Sequence, residues 1–160
     1  MSDVARIAGI SRPTLYKYFN NKDALLFEAI DLEALAFAES VAEHGRQFAR
    51  LDERIIEIIV FTVEQLPRHP YLSMILQDEL AQAFRDRAFS DEATLVFAEI
   101  TAAPLIDCAP ALADGGIEIS EMMSRFAISM ILFPGKYAND SDGLRRLIER
   151  RLLPGLIEPR

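Results

Sequence analysis

Apolar residues recur three and four positions apart along almost the whole chain, a spacing that lines them up on one face of an α-helix. Strand signals are weak. No Asn-Gly or Asp-Gly hairpin joins alternating segments, and Asp114-Gly115-Gly116 lies between helical patterns. The pattern predicts an all-α fold. Ser2 is placed to cap a first helix from Asp3 to Ala8, which Gly9 ends in the left-handed conformation. Ser11 caps a second helix from Arg12 to about Phe19, with Pro13 in the first turn, where a missing N–H costs little. Asn21 caps a long third helix from Lys22 to about Glu43, whose apolar positions are Leu25, Leu26, Ala29, Ile30, Leu32, Leu35 and Ala36. Asp52 caps a fourth from Glu53 to Leu66, stopped by Pro67 and Pro70. That helix, "ERIIEIIVFTVEQL", is apolar over most of its circumference, which marks it as central to the core.

A short helix follows Pro70, through Leu72, Ile75 and Leu76 to about Phe84. Another runs from about Asp91, capped by Ser90, toward Ile106, and Pro104 is expected to kink or end it. Pro110 to Gly116 reads as a loop. Ile117 or Ser120 opens a helix that reaches Phe133 and stops at Pro134-Gly135. After the loop "KYANDSDG", the last helix, "LRRLIERRLLPGL", begins near Asp142 and ends at Pro154. The pattern divides the chain into a small head, residues 1–35, and a helical body, residues 36–160. The boundary falls inside the third helix, with no flexible linker.

Composition adds that a packed core is within reach, at 51% hydrophobic residues over 160 positions. No apolar run approaches the roughly 20 residues that span a bilayer, so no membrane association is expected. Asp3 and Arg6 break any apolar run after Met1, so no signal peptide is read. The lone Cys108 has no internal disulfide partner, which suits a reducing cytoplasm. Charge changes the picture more. Residues 1–22 carry a net +3 and the remainder a net −11. A basic head on an acidic body points to a polyanion that meets the head alone.

The second helix fits that partner. Leu15, Tyr18 and Phe19 share one side and are expected to pack on Val4, Ile7 and Ile10. The opposite arc presents Pro13, Thr14, Tyr16 and Lys17. Two helices about a glycine-containing turn form the helix-turn-helix arrangement, whose second helix enters a DNA major groove. Short polar side chains reach base edges there, while Lys17, Tyr16, Tyr18 and helix N-termini hold phosphates. On spacing alone, an ordinary helical hairpin with a solvated outer face reads equally well.

The stretch "SDVARIAGISRPTLYKYFNNKDALL", Ser2 to Leu26, resembles the DNA-binding signature of TetR-family transcriptional regulators. The Gly9-Ile10-Ser11 turn, Thr14-Leu15-Tyr16, Phe19, and Lys22 followed by Asp23-Ala24-Leu25-Leu26 all fall in family order. The resemblance implies a TetR-like fold in which the head continues into a ligand-binding and dimerisation body. It implies that Arg12, Pro13, Thr14, Tyr16 and Lys17 face the groove, that Tyr18 and Lys22 contact phosphate, and that Leu15 and Phe19 are core. The family has a helix ahead of "SDVARIAG" that this sequence does not include. A start upstream of Met1, a shortened product and a naturally short form each accommodate this. An upstream start or a shortened product is the expectation.

In that family a small molecule in the body changes the spacing of two heads in a dimer, and operator half-sites roughly 34 Å apart make affinity sensitive to it. An apolar effector is expected, with Phe61, Gln65, Tyr71, Met74, Phe84, Phe97, Thr101, Met122, Phe126 and Met130 as candidate pocket residues. Each reads as plain core just as well. Glu57, Glu64 and Arg125 are candidate polar groups in the same cavity. For a homodimer, "EMMSRFAISMILF" offers Met123, Phe126, Ala127, Met130 and Ile131 along one stripe, and the last helix offers Leu144, Leu147, Ile148 and Leu152. Two such helices from each subunit pack as a four-helix bundle.

An enzyme is not expected. His44 and His69 lack a second ligand at metal-binding spacing, Cys108 has no histidine nearby in sequence, and no glycine-rich phosphate loop occurs. No cofactor is expected. The reading is a DNA-binding transcriptional regulator, a ligand-responsive repressor that binds a palindromic double-stranded operator as a homodimer in the cytoplasm. The alternative is a TetR-like dimeric interaction module whose DNA binding is impaired by the missing first helix.

Overall fold

The computed structural model describes residues 1–76, 90–137 and 139–157, and every regular element among them is helical. The head comprises α1 (Ser2–Ile7) and α2 (Arg12–Tyr18). Next come α3 (Lys22–Arg46), which runs unbroken from head into body, and α4 (Leu51–Gln65). Two 3₁₀ turns follow, Leu66–Arg68 and Leu72–Leu76. The body is completed by α5 (Asp91–Cys108), α6 (Gly116–Leu132), α7 (Ser141–Leu147), a π-turn (Ile148–Leu152) and α8 (Leu153–Ile157).

The central helix is α4, packed against α3, α5, α6, α7 and α8. Its Ile55, Ile58, Ile59, Val60 and Val63 are all buried. Burying a side chain of this size contributes about 1.5–3 kcal/mol, so this row is the main apolar contribution to stability. Phe37, Val41, Leu105, Met123, Ala127, Leu144 and Ile148 close around it. Helices α3 and α4 approach closely at Gly45, where a Cβ would lie 2.6 Å from Ile58 Cδ1. Any larger residue there would force the Ile58 side chain to move.

Local capping chemistry explains several helix starts. Ser11 accepts the N–H of Thr14, Asn21 that of Ala24, and Ser90 that of Ala93. Two expected caps are corrected. Ser2 is already the first helical residue, behind Met1, and caps nothing. Asp52 lies inside the first turn of α4, where Arg50 holds its carboxylate in a two-pronged ion pair. Pro104, expected to kink or end α5, sits inside it, buried, and the helix continues to Cys108. Its carbonyl accepts from Arg54, whose buried guanidinium also binds the carbonyl of Phe48. Pro154 does not end the last helix either. The π-turn, closed by Leu153 N–H on Ile148 C=O, resets the helix so that Pro154 falls in a first turn, where its missing N–H is harmless. On α3, the outward positions are Ala29, Leu32, Leu35 and Ala36, while Phe37, Ala38, Val41 and Ala42 turn inward.

A polar seam joins α4 to α7. Arg145 grips Glu57 with two hydrogen bonds of 2.6 and 2.9 Å, and the Ser141 hydroxyl donates to Glu64. Glu57 and Glu64 therefore fasten α7 rather than enter a cavity. Arg125 pairs with Glu121 on the exposed side of α6.

Candidate nucleic-acid interface

The head is built from two local devices. Gly9 adopts φ 67°, the left-handed conformation a glycine enters without strain. The N–H of Ile10 then reaches Ala5 C=O at 3.0 Å and that of Gly9 reaches Arg6 C=O at 3.3 Å, a Schellman ending for α1. Two residues later Ser11 starts α2: its hydroxyl accepts from Thr14 N–H at 3.2 Å and lies 2.7 Å from the Thr14 hydroxyl. The turn between the two helices is thereby fixed at both edges.

The contact between α1 and α2 is smaller than the sequence suggests. Ala5 and Leu15, each 3% exposed, are its buried members. Val4, Ile7 and Ile10, expected to pack on α2, are exposed, Ile7 at 79%. Tyr18 is 77% exposed and does not join Leu15 in the core. The chain between α1 and α2 is short, so the helices meet through the small Ala5 rather than through the branched residues flanking it.

The outer face of α2 is available throughout. Arg12, Pro13, Tyr16, Lys17 and Tyr18 are exposed, Thr14 is half-buried behind its bond to Ser11, and Lys22 is exposed at the start of α3. The Arg12 guanidinium lies 5.8 Å from the centre of the Tyr16 ring, one helical turn away, which orders both side chains on that face. Among the described residues no carboxylate pairs with Arg12, Lys17 or Lys22, whereas Arg6 is engaged with Asp3 at 3.4 Å. Arg12, Lys17 and Lys22 therefore leave a cationic surface beside the start of α3.

In the body, a cavity of about 10 Å³ lies between α4, α5 and α6, room for one water at most. Ile58, Ile59, Met123 and Ala127 line it together with the hydroxyls of Thr62, Thr101, Ser120 and Ser124. Thr62 donates to Ile58 C=O, Ser124 to Ser120 C=O, and Thr101 and Ser120 bond each other. Of the expected pocket residues the structure brings Phe97 and Thr101 to this cavity. Phe61, Gln65, Phe126 and Met130 are half-buried elsewhere, Tyr71, Met74 and Met122 are exposed, and Phe84 lies outside the described residues. Sequence reading missed the hydroxyls of Thr62, Ser120 and Ser124, although the two serines sit four apart in an otherwise apolar helix.

The residues expected at a dimer interface divide. Met123, Ala127, Leu144 and Ile148 are buried in the protomer's own core and are not offered to a partner, because α4 occupies that side of both helices. Ile131, Leu147 and Leu152 remain half-buried at the surface. Among the described residues no group of three His, Cys, Asp or Glu is placed to hold a metal ion, and no helix is long and apolar enough to cross a membrane.

Residues 1–29 match the family model of bacterial regulatory proteins, tetR family. No curated protein and no solved structure matches the chain.

Proposed function

We propose, from the match of residues 1–29 to bacterial regulatory proteins of the tetR family, that this protein is a ligand-responsive repressor that binds a palindromic operator as a homodimer in the cytoplasm. The head, residues 1–35, lays α2 in the major groove. The body, residues 36–160, dimerises and senses the effector. The observation that carries this reading is the unpaired outer face of α2. Arg12, Tyr16 and Lys17 are exposed on one side of a helix whose other side is anchored by Leu15, with Lys22 beside them. Arg12, Pro13, Thr14, Tyr16 and Lys17 read the groove, and Tyr18 and Lys22 hold phosphates. The surface members of the dimer set, Ile131, Leu147 and Leu152, supply the subunit contact. The effector is apolar and enters where Phe97 and Thr101 meet the hydroxyl-lined cavity, parting α5 from α6 to do so.

The test is selection of a DNA site from random duplexes, followed by affinity measurement across salt concentrations. Phosphate contacts give a log–log slope of about −0.9 for each one made. Lys17→Ala is expected to flatten the slope by about one such step, and Tyr16→Ala to lose about 1–3 kcal/mol of specific binding. Both variants should keep the wild-type oligomeric state. A chain that selects no sequence and binds duplex DNA without salt dependence rules the reading out.

A further inference from the structure

His69 is held between two elements. Its Nδ1 accepts the backbone N–H of Leu72 at 3.2 Å and faces that of Tyr71 at 3.4 Å. A backbone N–H only donates, so Nδ1 bears no proton and the neutral ring carries its proton on Nε2. Nε2 faces Glu33 Oε2 of α3 at 3.6 Å. The ring stands edge-on to Phe37, one turn further along the same helix, with centroids 5.8 Å apart. His69 thus caps the Leu72–Leu76 turn, a part usually played by Ser, Asp or Asn, while its other edge rests on the helix that carries the head.

We propose that His69 is a proton-operated link between the Leu72–Leu76 turn and α3. A proton taken from solvent by the Nδ1 lone pair converts that atom from acceptor to donor. Two backbone N–H groups then confront a third, and the cap is lost. Leu72 is 2% exposed, so its amide is left without a partner away from water, and the turn must shift to satisfy it. The same proton makes the ring a cation beside Glu33, drawing it toward α3. Among the described residues the charged group facing the ring is Glu33 from α3. Tyr71, on the turn itself, is the other titratable neighbour, and Phe37 and Leu72 are uncharged. The switch itself stands on this geometry. Its effect on DNA rests on the proposed function, through the continuity of α3 with the head.

The test uses the full chain without DNA. Two-bond ¹⁵N–¹H correlation reads the tautomer, and amide exchange reads the turn, from about pH 7.5 to about 5.5. The comparison variant is His69→Asn, whose side-chain oxygen keeps the cap without titrating. The expected result is the Nε2–H tautomer at the upper pH and at least about tenfold less protection of the Leu72 amide at the lower pH, corrected for intrinsic exchange. His69→Asn should show no such loss. A ring protonated on Nδ1 at the upper pH, or Leu72 protection that tracks His69→Asn throughout, overturns the proposal. A turn that responds to acid in a chain that selects no operator leaves the link standing and removes only the DNA reading.

Discussion

His44 shows how one side chain ties pH to stability. Its ring stacks flat on Phe61 with centroids 4.3 Å apart and meets Phe48 edge-on at 5.3 Å. Burial among these rings pushes its pKa below the ordinary imidazole value, and the nearby Arg145 adds to the shift, while Glu57 and Glu64 act against it. The folded protein therefore prefers the neutral ring. The unfolded chain takes up its proton at higher pH, so stability from this group is complete above about pH 6.5 and declines as pH falls through the folded value. His44→Phe keeps the stack and removes the titration. Urea midpoints measured between about pH 7.5 and 5 should fall less steeply in this variant than in wild type. An unchanged slope would mean that His44 does not titrate differently on folding.

At the level of elements, the α4–α7 seam makes a clear prediction. Arg145 is held by Glu57 through two bonds, and this hydrogen bonding raises its pKa. Its side chain is still 38% exposed, so solvent screens part of the attraction. Arg145→Met should cost about 1 kcal/mol, toward the upper end for partly exposed pairs, because Glu57 is left with one cation fewer and is itself only 18% exposed. Chemical denaturation with an unchanged m-value would check it. This seam also shows where sequence reading stops. Ser11, Asn21, Ser90 and Gly9 were legible because a cap depends on residues two to four positions away. Glu57 was not, because its partner stands 88 positions along the chain. By the same local logic Pro104 was read as a kink or a stop and Pro154 as a stop. Tertiary packing holds α5 through the first, and a widened turn accommodates the second. In the head, the spacing identified Leu15 but not Ala5, since periodicity ranks large apolar residues above the small one that permits close approach.

For the whole molecule, the contrast lies between α1 and α2, with two buried hydrophobic residues, and a body centred on α4. Local opening follows buried contact, so the head should exchange its amides through small openings while α4 exchanges only on global unfolding. Amide protection at Leu15 is expected to fall at least about a hundredfold short of that at Ile59. Equal protection would mean that head and body unfold as one unit. Under the proposed function, added duplex DNA should raise protection in the head far more than in α4.

The form of α3 has a mechanical consequence. Its 25 residues make a rod of about 37 Å. The root is embedded, with Phe37, Ala38, Val41, Ala42 and Gly45 all buried, whereas the outer half contributes Ile30 alone to that set. Such a rod is a lever. A tilt of about 5° about its embedded end carries the other end about 3 Å, close to the rise of one DNA base pair. The fit of a few side chains at the root, Gly45 against Ile58 above all, therefore sets the tolerance to which the distant end is aimed.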